Sequence, residues 1–333
     1  MKAFTLDRYG RNERLRLAEV PRPELRPNDV LVEVHAASVN PVDSKIRDGG
    51  FKLVVPYRLP LIMGNDVAGV VVAVGPDVRA FKPGDEVYAR PEIGRIGTFA
   101  EFIAIDEAGV ALKPKNLTME EAASIPLVAL TAWQALVERA RVKKGQKVFI
   151  HAGSGGVGTI AIQLAKHLGA IVATTTSTAN VDLVKRLGAD TVIDYKKAEF
   201  EEILRGYDVA LHSLGNDTLE KSLGVLKPGA NLISISGPPD AAFAKANGLS
   251  WLLQWVMRFL SARIRRKAKP RGVAYSFLLM RASGEQLNRI TALIEAGAIR
   301  PVVDRVFPFE ATNEALAYVE TGRSKGKVVI KLK

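Results

Sequence analysis

Glycines at 153, 155 and 158 fall in G-x-G-x-x-G spacing within KVFIHAGSGGVG, residues 147 to 158. The chemistry that such spacing serves is the binding of a pyrophosphate by main-chain N–H groups. The first glycine permits a tight turn, the second lets the backbone approach the phosphates, and the third lets a helix lie close to a strand. Gly153, Ser154, Gly155, Gly156, Val157 and Gly158 are therefore the candidate phosphate-contacting residues. A glycine triplet also serves ordinary turns, so its surroundings decide. Val148, Phe149 and Ile150 precede it as a short apolar run suited to a buried strand, and apolar residues at 160, 161, 164, 165 and 168 follow it at helical spacing up to Gly169. Strand, turn and helix in that order aim the positive end of a helix at the ligand.

The elements that must hold this turn alternate. AIVATTTS (170–177), TVIDY (191–195), DVALHSLG (208–215) and ANLISIS (230–236) read as further strands, with a helix over 181–189 between the first two. Such alternation requires crossover connections and predicts a doubly wound parallel sheet. Residues 1 to about 120 read differently. VLVEVHAASVN, DVAGVVVAVG, PGDEVYA and GTFAEFIAID are short strand-like runs divided by turn residues, as in a β-rich, barrel-like domain. Only a short exposed helix near Asp43–Asp48 is expected there. A capping-box start at Thr118 opens a helix through Ala123, Pro126 interrupts it, and Leu130 to Ala140 resumes the helical period. Toward the C-terminus, AIRPVVDRVFPF and KVVIKL return to strand-like patterns. The expected division is thus 1–120, 121–275 with an insertion at about 240–275, and 276–333, the last part closing the first domain.

Charge and composition bound the function. The net charge of +12 invites a nucleic-acid reading, but no Asp or Glu occurs from Ala241 to Gly284, where Arg and Lys are frequent. The basicity belongs to that segment, and nucleic acid is not expected as a partner. The N-terminal residues lack the apolar core of a signal peptide, and no apolar run approaches the roughly 18 residues of a membrane span, so a cytoplasmic location is expected. The chain has no cysteine, which excludes disulfides and thiolate-bound metal. Its histidines, His35, His151, His167 and His212, are not spaced with a second ligand.

NPVDSKIRDG (40–49), MGNDVAGVVVAVGPDV (63–78), FKPGDEVYA (81–89), GTFAEFIAID (97–106), LTAWQAL (130–136) and HAGSGGVGTIAIQLAKHLGA (151–170) together resemble the medium-chain dehydrogenase/reductase superfamily. The likeness is closest to its zinc-free quinone oxidoreductase and enone oxidoreductase branch. It implies a catalytic domain shaped like the GroES co-chaperonin, an inserted Rossmann domain, NADPH held in a cleft between the two, and homodimers. The zinc-dependent alcohol dehydrogenases of the superfamily need thiolates that this chain lacks.

Without a Lewis acid the hydride needs a willing acceptor, such as a quinone or a C=C bond conjugated to a carbonyl. Hydride adds to the β-carbon, and hydrogen bonds stabilise the charge that collects on the oxygen. By their places in NPVD and LTAWQ, Asn40 and Thr131 are expected beside nicotinamide and substrate, Thr131 at the start of a helix. Asn40 can equally be a turn residue and Thr131 an N-cap. Asp43 and Lys45 share the motif, with Lys45 as a donor to the enolate oxygen. The alternative reading is an NADPH-binding regulatory or crystallin-like module with little turnover.

NAD-specific sites place an acid about 20 residues past the turn. Here no acid precedes Asp182. Thr176, Ser177 and Thr178 can hydrogen-bond a 2′-phosphate, Tyr195 matches a tyrosine that the family uses nearby, and Leu214 and Gly215 end the strand-like run beside the cofactor. Asn180 stands where the family usually has lysine. NADPH is expected over NADH by a modest factor.

The family pattern leaves 251–271, WLLQWVMRFLSARIRRKAKPR, unexplained. Its apolar first half and basic second half fit a helix that walls a lipophilic substrate pocket or meets a partner subunit, or else a peripheral membrane contact.

Overall fold

The computed structural model describes residues 1–11, 13–52 and 54–333, and these form two compact units, 1–130 with 281–333 and 131–280. The first break falls within the helix Pro126–Trp133, later than the expected boundary near 120.

The first unit is built on the long strand Asp29–Val39, whose alternation of apolar and partly exposed residues gives it one face for the core. It pairs antiparallel with Asp66–Val74, Phe102–Asp106 and the C-terminal strand Lys327–Lys331. The sheet runs Val303–Pro308, Lys327–Lys331, Asp29–Val39, Asp66–Val74, Glu86–Ala89, Val110–Leu112. Register shifts near Val32 and Ala36 mark bulges in its longest pairing, devices that bend a sheet and increase its twist. A smaller antiparallel sheet, Arg16–Glu19, Lys2–Leu6 and Leu61–Ile62, lies beside it. Val30, Val32, Val34, Phe4, Met63 and Phe99 belong to the shared core. The early helix is Pro41–Arg47, and it corrects the expectation of an exposed element: Asp43, Ile46 and Arg47 on it are buried.

The second unit carries a six-stranded parallel sheet in the order Thr191–Asp194, Ile171–Thr176, Lys147–Ile150, Tyr207–His212, Leu226–Ser234, Ala274–Phe277. The order reverses between Lys147–Ile150 and Tyr207–His212, so the carboxyl ends of those two strands flank the crevice where doubly wound sheets bind ligands. Its core includes Phe149, Phe200, Tyr207 and Leu232. Several sequence expectations need correction. The strand Tyr207–His212 stops before Leu214 and Gly215, because Gly215 caps the helix Asn216–Ser222. The helical run from Leu130 continues Pro126–Trp133 and then widens into a π-helix, Gln134–Arg139. The last strand, Ala274–Phe277, lies beyond the basic segment, which itself folds into helices Ala241–Ala246, Trp251–Leu260 and Ala262–Ala268. Among the described residues no helix is long and apolar enough to cross a membrane.

Candidate functional site

The turn after Lys147–Ile150 is shaped by contact as much as by conformation. A Cβ on Gly153 would stand 2.2 Å from the Thr174 hydroxyl, and one on Gly158 would stand 2.3 Å from the Ala152 carbonyl oxygen. Those two glycines are required by strand, turn and helix packing on one another. Gly155 differs, since a Cβ there would meet only the Ala152 carbonyl oxygen, at 3.3 Å. It is the N-cap of the helix Gly156–His167, which has no side-chain cap and no acid in its first turn. An uncapped helix start that opens on glycine is a fitting seat for a phosphate group, which would take up the N–H groups that no side chain satisfies. Ala152, just before, is held at φ 51°, a left-handed conformation that costs a non-glycine residue energy.

The neighbouring strand ends bring hydroxyls to the same sheet edge. Thr176 is buried and donates to the Ser154 hydroxyl at 2.9 Å, and Asn180 Nδ2 donates to Ser154 and Ser177 at 3.3 and 3.2 Å. The Asn180 side-chain oxygen is buried with no hydrogen-bond partner. Thr178, Tyr195, Leu214 and Gly215 are exposed. Parallel pairing sets Thr176 against Asp194, and the Thr178 hydroxyl donates to the Asp194 carboxylate at 2.6 Å. This corrects the sequence expectation of an edge free of acids. The acid comes from the next strand, where the spacing rule does not look. The Thr178 hydrogen bond holds Asp194 below the ordinary carboxylate range. The Lys196 N–H donates to the same carboxylate at 3.1 Å, and the Lys197 ammonium lies 3.8 Å away.

Behind the turn, two buried histidines fill the sheet ends. His151 Nε2 lies 2.8 Å from the Ser222 hydroxyl, and His212 Nδ1 lies 3.0 Å from that of Ser234. Burial pushes His151 well below its ordinary value and His212 down to about 4. Both are neutral packing residues of the sheet edge. His35 and His167 lie apart, in the strand Asp29–Val39 and at the end of the helix Gly156–His167.

The first unit holds a second polar constellation. Asn40, Asp43, Asn65, Asp66, Arg90 and Lys327 are all buried. Asn40 Nδ2 donates to Asp66 at 2.8 Å and to the Ser38 carbonyl at 3.3 Å, and Asn40 Oδ1 accepts from the Lys327 ammonium. Lys327 also lies 3.3 Å from Asp66, whose carboxylate accepts from Ser38 and, at 2.8 Å, from the Leu127 N–H. Asp43 accepts from the Asn40 N–H and from Asn65 Nδ2, each at 2.7 Å, and Arg90 donates to Asn65 Oδ1. Burial raises Asp43 to about 7 against those donors, and it lowers both Lys327 and Arg90. Paired and hydrogen-bonded charges of this kind lock the strands that carry them.

The structure therefore places the predicted catalytic residues unequally. Asn40 is fully committed as a donor, so a hydrogen bond from it to substrate would have to replace one of these. Lys45 is exposed on the helix Pro41–Arg47. Thr131 is buried inside Pro126–Trp133, not at a helix start as expected. The π-helical turn that follows it is a form found often at functional sites. Asp66, Asn65, Arg90 and Lys327 escaped sequence reasoning. The available signal was a charge opening each of two strands with apolar runs behind it, Asp66 in DVAGVVVAV and Lys327 in KVVIK.

Comparison with known proteins places these features in a wider group. The alcohol dehydrogenase GroES-like domain model matches residues 26–115, and a model described as zinc-binding dehydrogenase matches 187–330. The mitochondrial NAD(P)H oxidoreductase RTN4IP1 of Homo sapiens is 38% identical over 353 residues, spanning 99% of this chain and 89% of that protein. The chloroplastic NADPH-dependent alkenal/one oxidoreductase of Arabidopsis thaliana is 36% identical over 344 residues, 99% of this chain and 79% of that protein. The quinone oxidoreductase of Coxiella burnetii superposes with a TM-score of 0.86 at 32% identity, over 100% of this chain and 99% of that one. Despite the description of the second domain model, this chain has no cysteine, and among its described residues no three His, Asp or Glu gather as a metal site would require.

Proposed function

The chain belongs to the medium-chain dehydrogenase/reductase family, in its zinc-free quinone and enone branch, and from that premise we propose that it reduces a quinone or the C=C bond of an α,β-unsaturated carbonyl at the expense of NADPH. The observation that carries the proposal is the Gly155 turn, less crowded than Gly153 and Gly158 and followed by an uncapped helix start, at the reversal of a parallel sheet. Bound NADPH supplies the hydride. Gly155 and the start of Gly156–His167 would hold its pyrophosphate. Thr176, Ser177, Thr178, Tyr195 and Asn180 would line its adenosine phosphate, with Leu214 and Gly215 at the adjoining strand end. The polar cluster around Asp66 acts by fixing the strand end that carries Asn40 and the start of the helix that carries Lys45. Lys45 is the side chain we assign as donor to the enolate oxygen, with Thr131 a second candidate polar group beside the nicotinamide. The substrate is small and lipophilic, and the working form is a homodimer.

The test is NADPH oxidation against a panel of quinones, enones and alkenals, before and after dialysis against a chelator. Turnover with at least one member, unchanged by the chelator, is expected. Tight NADPH binding without turnover on any member would favour a regulatory binding module, and activity restored by zinc would remove the branch assignment.

A further inference from the structure

The helix Trp251–Leu260 lies with the wrong side outward for a globular protein. Met257 is buried beneath it, and Ser261, Ile264 and Ala268 continue the buried line into the next helix. A surface helix ordinarily turns its largest apolar stripe inward. Here Trp251, Trp255 and Phe259, one every four residues, are 75%, 67% and 80% exposed, with Leu252 and Val256 beside them on the same outward face. A free apolar face of this size, with two tryptophans, marks a surface that meets something.

Its charged border indicates what. Arg258 flanks the stripe, and Arg265, Arg266, Lys269 and Arg271 follow it, all exposed and without a carboxylate partner among the described residues. Arg263 and Lys267 differ, since both pair with Glu220, the Arg263 contact at 2.6 Å. No acid occurs from Ala241 to Gly284. Two copies brought together on this face would set cation against cation with nothing in the segment to neutralise them. A nucleic acid would find the aromatic residues gathered in one stripe ahead of the cations instead of between them. An anionic bilayer satisfies both halves: its headgroups attract the unpaired Arg and Lys, and its interface accepts tryptophan and phenylalanine.

We propose that the outward face of Trp251–Leu260, with the cations that follow it, docks the protein onto an anionic lipid surface. The face lies parallel to the membrane and inserts only its apolar stripe. Such docking would bring a soluble enzyme to acceptors dissolved in the bilayer, but the docking itself stands independently of the reaction proposed above.

The experiment is co-sedimentation of the full-length protein with vesicles of phosphatidylcholine, with and without phosphatidylglycerol, at low and high salt. Tryptophan quenching by brominated acyl chains is read on the same samples. Binding to the anionic vesicles should be at least about tenfold stronger and should fall as salt rises. It should be lost in Trp255→Ala/Phe259→Ala and in Arg265→Glu/Arg266→Glu, both with unchanged melting temperature. Quenching in the wild type reports insertion without any variant. No sedimentation, sedimentation indifferent to lipid charge, or sedimentation without quenching would overturn the proposal. So would self-association that the aromatic variant abolishes, or binding confined to nucleic acid.

Discussion

The helix start at the glycine turn of the second unit leaves its first N–H groups without a side-chain partner, whereas the Asn40 cluster of the first unit spends nearly all of its own polar groups. At Gly155 the helix start has neither a capping side chain nor an acid. At Asn40 both amide hydrogens, the side-chain oxygen and the backbone N–H are engaged within the protein. The difference suggests a division of labour. On the proposed reading one region would recognise its ligand by presenting main-chain donors from a rigid frame, while the other supplies rigidity by closing a network of opposite charges around a strand end. It also separates two kinds of mutational damage, loss of binding in the first case and loss of stability in the second.

The largest expected effect sharpens that contrast. Lys327→Met removes the ammonium while leaving Asp66 and Asn40 Oδ1 buried without it, and it should cost about 3–5 kcal/mol in chemical denaturation. Adding Asp66→Asn to the same chain should recover part of the loss, because two neutral groups no longer require a counter-charge. A Lys327→Met protein as stable as wild type would show that the cluster is not what holds these strands.

The two units should also respond to pH with opposite sign. Asp43 is raised to about 7 from 3.8, so between those values the folded state binds more protons than the unfolded state, and its contribution falls as pH rises. His212 is lowered to about 4 from 6.5, so there the unfolded state binds more, and stability falls as pH drops through that window. The effects are on the order of 4 kcal/mol for Asp43 and about 3 kcal/mol for His212. Denaturation of wild type against Asp43→Asn and His212→Gln, between pH 4 and 8, isolates each group from the other carboxylates. Relative to its variant, wild type should lose stability upward in pH for Asp43 and downward for His212, and parallel curves would refute either assignment.

Within the turn, Gly155→Asp should weaken NADPH binding by about 2 kcal/mol or more, roughly thirtyfold, by placing an anion at the positive end of the helix. Its melting temperature should fall less than that of Gly158→Ala, since the Cβ meets one main-chain atom, the Ala152 carbonyl oxygen at 3.3 Å, which has to give by only a few tenths of an ångström. Gly158→Ala should do the reverse in proportion, destabilising the fold by about 1–3 kcal/mol through main-chain contacts that cannot yield. Equal effects of both changes on stability and on binding would erase the distinction between a ligand-facing and a packing glycine.

The same contrast explains what could be read in the sequence. Gly153, Gly155 and Gly158 lie within six residues of chain, and their role depends on local backbone geometry, so their spacing together with the strand-like run before and the helical run after pointed to the turn. The strands of the second unit announced themselves by β-branched runs, except Ala274–Phe277, which follows a basic helical segment and is only partly buried. The cluster around Asp66 was not legible because its members are distant: Lys327 meets Asp66 across 261 residues. Residues 40 to 49 marked Asn40 and Lys45 as candidates through the family likeness, but not that Asn40 faces an internal lysine. Thr131 was misplaced relative to its helix because Pro126, taken as an interruption, instead begins that helix, where proline's missing N–H costs nothing.

The smallest expected effect concerns Asp194, which reaches the proposed cofactor edge by strand pairing and not by sequence distance. With Thr178 donating to it and Lys197 nearby, its charge is partly offset, so NADPH should still be preferred over NADH by a modest factor. A 2′-phosphate seated by Thr176, Ser177 and Thr178 would nonetheless feel the carboxylate. An NADH ribose would gain from the same group an acceptor for its hydroxyl. Asp194→Asn should therefore raise kcat/KM for NADPH and lower it for NADH, widening their ratio by roughly two- to fivefold at low salt and less at high salt. Lys197→Ala should narrow the ratio by exposing the acid. If Asp194→Asn leaves the ratio unchanged while Asn180→Lys raises it, the phosphate lies on the Asn180 side of the strand ends, and Asp194 serves only to hold Thr178 in place.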